Sequence, residues 1–272
     1  MSKLISIIIP TYNEQETIGN CLSSLRGQSY EEVEIIVVDD GSVDNTKSIV
    51  KKLNVKLLSQ NHQGPGTARN LGAKYAKGEI LVFVDADMTF EKNFIRDLVK
   101  PIDEKKTVGT FSKNELLANY ENIWAKCWSI NRNWKGKRLI AKNSPNTSPV
   151  FRAIKKHSFE KVKGFDTTGE YTDDWSLSRK LGEKALVAKG ATYYHFNPST
   201  LKEVTNQAKW FSTNMFISGN ILRKMKSIVF YSLPFSLIIG VYKSIKERTF
   251  LFIFFKVVFD YAVWTSIIRS LF

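Results

Sequence analysis

The chain has 272 residues, with 40 Lys and Arg against 26 Asp and Glu, and therefore a net charge of +14. This length suits one large α/β domain with an appendage, because single hydrophobic cores stop growing at about 250 to 300 residues. A composition of 43% hydrophobic and 24% charged residues excludes a disordered chain and a polytopic membrane protein. The charge indicates a polyanionic partner: nucleic acid, an anionic membrane surface or a phosphorylated substrate.

The cysteines and the N-terminal residues indicate a reducing compartment. Cys21 and Cys127 lie far apart in amphipathic stretches, without the spacing of metal ligands, so we predict that both are reduced packing residues. The first apolar run, LISIII at 4–9, stops at Pro10 and lacks a cleavage site of small residues. We therefore predict no signal peptide and a catalytic part that stays in the cytoplasm.

Apolar runs and amphipathic stretches alternate along the first 90 residues. Strands are predicted at 4–9, 33–38, 55–60 and 79–87. The first two runs are typical of strands buried in a parallel sheet. Helical stretches are predicted between these runs, over 14–28, up to about 53 and within 64–77. The alternation predicts a doubly wound α/β sheet, in which ligands bind outside the carboxyl ends of the strands.

Acidic residues follow two of the predicted strands. Asp39 and Asp40 end the second strand, Asp85 and Asp87 end the fourth, and TYNE at 11–14 follows the first. Carboxylates at one sheet edge repel each other unless a cation lies among them. A hard divalent ion takes oxygen ligands from one or two carboxylates together with substrate phosphates. The sequence therefore predicts a site for a nucleotide diphosphate with Mg²⁺ or Mn²⁺.

Six short motifs follow one another in a specific order. They are IIPTYNE at 8–14, VVDDGSVDNT at 37–46, GPGTARNLG at 64–72, VDAD at 84–87, KGFD at 163–166 and TDDWSLSRK at 172–180. In this order they resemble the family-two glycosyltransferases, the inverting GT-A-fold family that includes polyprenyl-phosphate sugar transferases and cellulose synthase. The resemblance covers about residues 3–210. It implies a catalytic domain over 1–212, and we assign 213–272 to C-terminal apolar helices associated with a membrane.

Each motif alone has a simpler interpretation. An Asp-x-Asp triplet arises by chance in many chains, and DDGS consists of ordinary turn formers. GPGTARN lacks the glycine pattern of a dinucleotide site, so by itself it indicates only a loop before a helix.

The resemblance implies a role for each matching residue. Asp87 is predicted to ligate the metal, while Asp85 contacts the sugar or ribose and the hydrated ion. Asp39 or Asp40 is predicted to help hold the base and ribose. The residues predicted to bind the nucleotide sugar are Pro10, Thr11, Tyr12, Glu14, Asp39, Asp40, Arg69, Asn70, Asp85 and Ala86.

The motif TDDW implies the catalytic base. Asp174 occupies the place of the base and Asp173 that of the preceding acid, although both also suit the capped first turn of a helix. Trp175 and Trp210 are predicted to contact the acceptor, with a core or interfacial role as the alternative for Trp210. NQAKW at 206–210 matches the Gln-x-x-Arg-Trp motif of processive members poorly, so we predict transfer of a single sugar. His195 either approaches the metal and phosphates or is structural.

The predicted reaction is inverting transfer from a UDP- or GDP-sugar to a hydroxyl group, on a lipid-linked glycan or glycolipid. A base at Asp174 favours a hydroxyl acceptor, because a lipid phosphate is already anionic; a polyprenyl-phosphate sugar synthase is the alternative. A nicotinamide-dependent oxidoreductase would need a glycine fingerprint where PTYNEQ stands. A non-catalytic basic protein that binds membrane or nucleic acid would leave the ordered acids unexplained. No nucleic-acid motif is present, so nucleic acid is not predicted as a partner.

The C-terminal segments are apolar and flanked by basic clusters. Ser227 to Tyr242 is uncharged, but its 16 residues span only about 24 Å as a helix, and Pro234 interrupts it. Thr249 to Ile268 is longer, and it places Lys256 and Asp260 one turn apart, where they can pair. Basic clusters on both sides of the first segment disfavour a simple hairpin. We predict two helices lying in the cytoplasmic leaflet; the alternative is a soluble helical subdomain or a dimer interface.

Overall fold

The computed structural model describes residues 3–167, 172–216 and 221–271, without the side chains of 172–174 and 213–215. Contacts divide the chain into two compact units. The first contains the described parts of 1–116, 140–168 and 172–195, and the second those of 117–139 and 196–272. Since these units are defined by contacts and not by activity, the division at 212/213 stays a prediction.

The chain forms strands and helices in alternation. The strands are β1 (Ile5–Thr11), β2 (Val33–Asp39), β3 (Lys56–Ser59), β4 (Ile80–Phe83), β5 (Met88–Phe90), β6 (Gly109–Phe111), β7 (Asn114–Leu117), β8 (Thr147–Ser148), β9 (Ala153–Lys155), β10 (Ala185–Val187) and β11 (Thr192–His195). The helices are α1 (Ile18–Arg26), α2 (Thr46–Lys52), α3 (Pro65–Lys74), α4 (Phe94–Asp103), α5 (Ile123–Asn131), α6 (Lys156–Lys161), α7 (Thr172–Leu181), α8 (Leu201–Phe216), α9 (Ile221–Phe230), α10 (Leu233–Lys246) and α11 (Leu251–Arg269).

The main sheet has the strand order β3-β2-β1-β4-β9-β6-β10-β8. Strands β1 to β4 are parallel, and the order reverses on either side of β1, whose Ile8 pairs with Ile36 on one side and Phe83 on the other. Such a reversal opens a crevice at the carboxyl ends of the strands. The predicted α/β sheet is confirmed, although its second half is mixed, because β9 runs antiparallel to β4 and β6.

Both faces of the main sheet are covered, which explains the continuous apolar runs. Alternate residues of β1, such as Ile7 and Ile9, belong to a core cluster that also contains residues of α1, α2 and α4. Ile8 belongs to a second cluster, with residues of α3, α6 and α7. A Cβ at Gly72 in α3 would lie 2.5 Å from Cγ2 of Ile8, so this close helix-to-strand approach requires glycine.

The fourth predicted strand is shorter than expected. The run at 79–87 forms a strand only over Ile80–Phe83, so the prediction that Asp85 and Asp87 end this strand is wrong. The chain turns after the bond from Val84 N to the carbonyl of Ile8 (3.2 Å), and Met88 N bonds the carbonyl of Asp85 (3.2 Å). The two acids therefore lie on a turn into β5, which belongs to a three-stranded sheet of order β5-β11-β7.

The second unit contains α5 and α8 to α11, and α11 lies in its core. Phe252, Phe255 and Phe259 of α11 are buried with Trp128 of α5. Lys256 and Asp260 are buried and paired at 2.7 Å, which confirms the predicted pairing. Among the described residues, only α11 is long and apolar enough to cross a membrane; α9 and α10, bent by 56°, add a second candidate if they are counted as one span.

Candidate functional site

The acids that follow β2 have different environments. Asp39 Oδ2 accepts bonds from the backbone N–H groups of Gly41 and Ser42 (3.2 Å each), while its buried Oδ1 has no hydrogen-bond partner in the described part of the chain. Asp40 instead holds the following loop, accepting from Gln63 N (2.8 Å) and Gly64 N (2.8 Å). Asp39 is therefore the acid with an oxygen left for a ligand.

The end of β1 lies beside Asp39. Thr11 pairs with Asp39 in the parallel register, and its buried Oγ1 also has no partner among the described atoms. Pro10, the preceding residue, is buried in the strand. The ring of Tyr12 is partly exposed and lies 4.2 Å from that of His62, between centroids. Together they form a polar floor with an aromatic wall, which suits a planar base.

Glu14 continues from the end of β1. Its backbone N–H donates to Thr46 Oγ1 (2.8 Å), and its carboxylate accepts from Thr17 Oγ1 (2.7 Å). Burial, together with the negative charge of Asp87, raises the pKa of Glu14 to about 7. A negative charge on Glu14 is thus unfavourable beside Asp87 unless a cation is also present.

Asp85 is held by two arginines. Its Oδ1 lies 2.7 Å from Arg69 Nη2 and its Oδ2 lies 3.1 Å from Arg152 Nη1. Burial alone would raise the pKa of Asp85, but the charges of Arg152 and Arg69 lower it well below its usual range. Asp85 is therefore an ionised, fixed carboxylate with two guanidinium groups beside it.

Asp87 belongs to a chain of three charged groups across the small sheet. His195 Nε2 lies 3.0 Å from Asp87 Oδ2, and His195 Nδ1 lies 2.8 Å from Glu115 Oε1. Burial alone would lower the pKa of His195, but the two carboxylates raise it well above its usual value. His195 therefore contacts Asp87 directly, while its predicted approach to the metal and phosphates stays a prediction.

The residues around Asp87 can hold a divalent metal ion. The buried Oδ1 of Asp87 has no partner among the described residues, so one carboxylate oxygen is left for an ion. No group of three or more His, Cys, Asp or Glu side chains in the described ranges has the arrangement of a metal site. These residues therefore fit an ion held by one carboxylate and completed by substrate phosphates, as is common for Mg²⁺.

Asn70 holds a loop. Its Nδ2 donates to the carbonyl of Phe165 (2.9 Å), and its Oδ1 accepts from Phe165 N (2.9 Å). Both polar atoms of the amide are engaged by this backbone, and the predicted place of Asn70 beside the diphosphate stays a prediction. Ala86 is buried on the turn between Asp85 and Asp87.

The predicted base lies at the edge of the described residues. Helix α7 begins at Thr172, but the side chains of Asp173 and Asp174 lie outside the described part, and their roles stay predictions. Trp175 on α7 is 57% exposed, and Trp210 on α8 of the second unit is 53% exposed. Trp210 is therefore not a core residue, while its predicted contact with the acceptor is untested.

Sequence reasoning missed Arg152 and Glu115. Arg152 interrupts the apolar stretch VFRAI at 150–154, and a cation inside such a run was the signal that could have identified it. Glu115 has no such signal, because its partner His195 is 80 residues away.

Comparisons with known proteins agree with this architecture. A family model described as glycosyl transferase family 2 matches residues 6–163. The glycosyltransferase GlyG of Streptococcus pneumoniae is 35% identical over 128 residues, which is 45% of this chain and 40% of GlyG. The poly(ribitol-phosphate) beta-N-acetylglucosaminyltransferase TarS of Staphylococcus aureus is 43% identical over 107 residues, which is 36% of this chain and 19% of TarS. The chain thus spans less than half the length of these curated relatives.

Solved structures show the same fold at low sequence identity. The S. aureus TarS 1–349 complex with UDP-GlcNAc has a TM-score of 0.57 and 19% identity, covering 98% of this chain and 92% of that one. The mannosyltransferase PcManGT from Pyrobaculum calidifontis, in complex with GDP-Man and Mn²⁺, has a TM-score of 0.61 and 19% identity, covering 98% and 87%. The predicted GT-A-type fold is confirmed by these likenesses.

Proposed function

This chain belongs to glycosyl transferase family 2, and from that premise we propose that it transfers one sugar residue from a nucleotide-diphosphate sugar to a hydroxyl acceptor. The observation that carries the proposal is a set of three buried oxygens without a partner among the described residues: Thr11 Oγ1, Asp39 Oδ1 and Asp87 Oδ1. Buried polar atoms are normally hydrogen-bonded, so unpartnered ones at the carboxyl edge of a sheet indicate a ligand.

The nucleoside lies at the ends of β1 and β2. Asp39 Oδ1 accepts an N–H of the base or a ribose hydroxyl, and Thr11 Oγ1 adds a second polar contact, while Tyr12 covers the base. Asp40 keeps the 60–64 loop in place. Related structures contain UDP-GlcNAc in TarS and GDP-Man in PcManGT, so both UDP- and GDP-sugars are candidate donors.

The diphosphate lies near Asp85 and Asp87. Asp87 would hold Mn²⁺ or Mg²⁺ through Oδ1, where the ion would supply positive charge beside the departing diphosphate. Arg69 and Arg152 fix Asp85 in place for a contact with the sugar or ribose, and they add positive potential where the leaving group gains charge. His195 holds the second oxygen of Asp87.

Asp174 removes the proton of the acceptor hydroxyl as the hydroxyl oxygen attacks the anomeric carbon. The attack comes from the face opposite the diphosphate and inverts the configuration. Asp173 precedes this base, and Trp175 contacts the acceptor. The acceptor is a hydroxyl on a lipid-linked glycan or glycolipid, and the C-terminal helices bring the enzyme to the cytoplasmic face of the membrane. A polyprenyl phosphate is the competing acceptor.

Replacement of Asp174 by asparagine tests the base. Asparagine keeps the shape but accepts no proton, so turnover is expected to fall by about 10² to 10⁴. Binding of the nucleotide sugar, measured by thermal shift, is expected to stay unchanged. Near-normal turnover with a hydroxyl acceptor rules out this assignment. Near-normal turnover with a lipid phosphate alone favours the competing acceptor.

Replacement of Asp87 by alanine tests the metal site. In the wild-type protein, a nucleotide diphosphate with Mn²⁺ at about 100 times its Kd is expected to add about 2.7 kcal/mol to the stability. Asp87→Ala is expected to abolish the part of this stabilisation that depends on Mn²⁺. The control is Asp103→Ala, which removes an exposed acid paired with Lys3. Full activity in the presence of a chelator contradicts the metal proposal.

A further inference from the structure

Helix α10 has an unusual distribution of side chains. Seven of its large apolar residues are 42–68% exposed. Five of these exposed residues are Leu237, Ile238, Val241, Tyr242 and Ile245, and we call them the α10 outer face. A helix packed on the surface of a water-soluble protein turns such residues towards the core. The pattern of α10 is the reverse.

The packed side of α10 is small and polar. Its only buried residues are Ser236, Gly240 and Ser244, and a Cβ at Gly240 would lie 3.3 Å from the Cα of Ile253 in α11. Small residues spaced four apart allow such close helix contact in membranes, where burying apolar side chains against each other brings no gain over lipid.

A buried polar cluster lies between these two helices. Ser236 Oγ donates to Asp260 Oδ2 (2.7 Å), and Lys256 Nζ donates to Asp260 Oδ1 (2.7 Å). Charged groups in lipid-exposed bundles are paired and face the interior of the bundle. The α10–α11 pair therefore has charged groups inside and apolar groups outside, which is the arrangement expected next to lipid.

Basic residues lie at both ends of this pair. Lys246 and Arg248 follow the outer face of α10, at the turn into α11. At the other end, Lys224 Nζ donates to the carbonyl of Ser270 (2.9 Å), which brings the basic helix α9 to the end of α11. Cations at both ends complement anionic headgroups on one surface and disfavour a crossing. The 14 residues of α10 would also span only about 21 Å.

We propose that the α10 outer face lies among the acyl chains of one anionic leaflet, with Lys246, Arg248 and the basic residues of α9 on the lipid phosphates. This inference rests on the membrane attachment included in the proposed function and identifies the surface that makes it. A second copy of the chain is the competing occupant of this face.

The test uses the full-length protein and flotation with vesicles of phosphatidylcholine, with or without phosphatidylglycerol. Ile238→Glu is expected to lower the bound fraction at least about tenfold in both vesicle types, because it places a charge among acyl chains. Lys246→Glu is expected to reduce binding only to the anionic vesicles, as is high salt. The matched control is Tyr75→Glu, which replaces an exposed aromatic residue in the first unit and is expected to leave binding unchanged.

A second measurement does not depend on how well Ile238→Glu folds. Ile238→Cys is labelled with an environment-sensitive dye, since Cys21 and Cys127 are buried, and Tyr75→Cys is the control. Vesicles are expected to shift the dye emission at 238 to the blue and to leave it unchanged at 75. An unchanged emission at 238 overturns the proposal. A dye already buried in a lipid-free dimer overturns it in favour of an interface between copies.

Nucleotide-sugar binding is measured by thermal shift on the same samples. If that binding is present while the vesicle results are negative, the lipid surface is wrong and the proposed activity stands. If vesicles bind as expected but no nucleotide sugar does, the proposed activity is wrong and the lipid surface stands.

Discussion

Replacement of Arg152 by methionine removes one of the two guanidinium groups that hold Asp85. The charged atoms are 3.1 Å apart, and the two side chains are 16% and 29% exposed. Two unit charges about 4 Å apart attract each other by about 4 kcal/mol at an effective dielectric constant of about 20. Because Asp85 is partly exposed and keeps Arg69, we expect about half of this, a loss of about 2 kcal/mol in the free energy of unfolding.

The assay is urea unfolding of four proteins: the wild type, Arg152→Met, Asp85→Asn and the double variant. The coupling free energy of this cycle is expected to be about 1 to 2 kcal/mol. Arg152→Met alone leaves the charged Asp85 without one of its two partners. In the double variant that charge is absent, so the loss of Arg152 costs less. Effects that add to within about 0.5 kcal/mol would refute the ion pair as a source of stability.

The pH dependence supplies a second check on the same pair. The pKa of Asp85 is lowered overall by Arg152 and Arg69, against the opposing effect of burial. A carboxyl group with a lowered pKa in the folded state adds stability above its unfolded pKa of about 3.9, and this stability is lost as the pH falls through the folded value. The difference between the wild type and Arg152→Met is therefore expected to shrink below about pH 4.

Two further predictions concern stability. Gly164→Ala is expected to lower the free energy of unfolding by about 2 kcal/mol more than Gly182→Ala does, measured by thermal or urea unfolding. Both positions have φ near 70°, but only a Cβ at 164 would collide with Asn70 Oδ1. Equal losses of stability would contradict this. Since burial and then Asp87 raise the pKa of Glu14 to about 7, the folded state holds a proton that the unfolded state releases. Wild-type stability is therefore expected to fall by up to about 3 kcal/mol as the pH rises from about 4.5 to 7. Glu14→Gln is expected to flatten that slope in chelator-treated protein, and an unchanged slope would show that Glu14 is not its source.

The parallel part of the main sheet was predictable because its inner strands are buried. The apolar runs of β1, β2 and β4, separated by amphipathic stretches, predict a parallel sheet and the edge at which its polar residues lie, whereas β3 is a partly exposed edge strand. The end of the fourth run was not predictable in the same way. Val84 and Ala86 are buried, so the run stays apolar after the chain has left the sheet, and hydrophobicity alone does not mark the turn.

The site was predictable only where its residues follow the parallel strands directly. Arg152 reaches Asp85 because β9 enters the sheet antiparallel between β4 and β6, with Phe83 N bonding the carbonyl of Arg152 (2.8 Å). Glu115 meets His195 through the small sheet. Both contacts depend on long-range strand pairing, which no local pattern encodes. The different environments of Asp39 and Asp40 likewise follow from the shape of the 60–64 loop.

The reciprocal bonds between Asn70 and Phe165 join two motifs that are 95 residues apart in sequence. Helix α3 therefore acts as the template on which the KGFD loop, which leads towards α7, is set. Consider a chimera that takes α7, its predicted base and the preceding loop from another member of the family. That loop is shaped to fit the residue that the other protein has in place of Asn70, and in the chimera it meets Asn70 instead. Exchange of catalytic segments between such enzymes is thus expected to succeed only when positions 70, 164 and 165 are moved as one block.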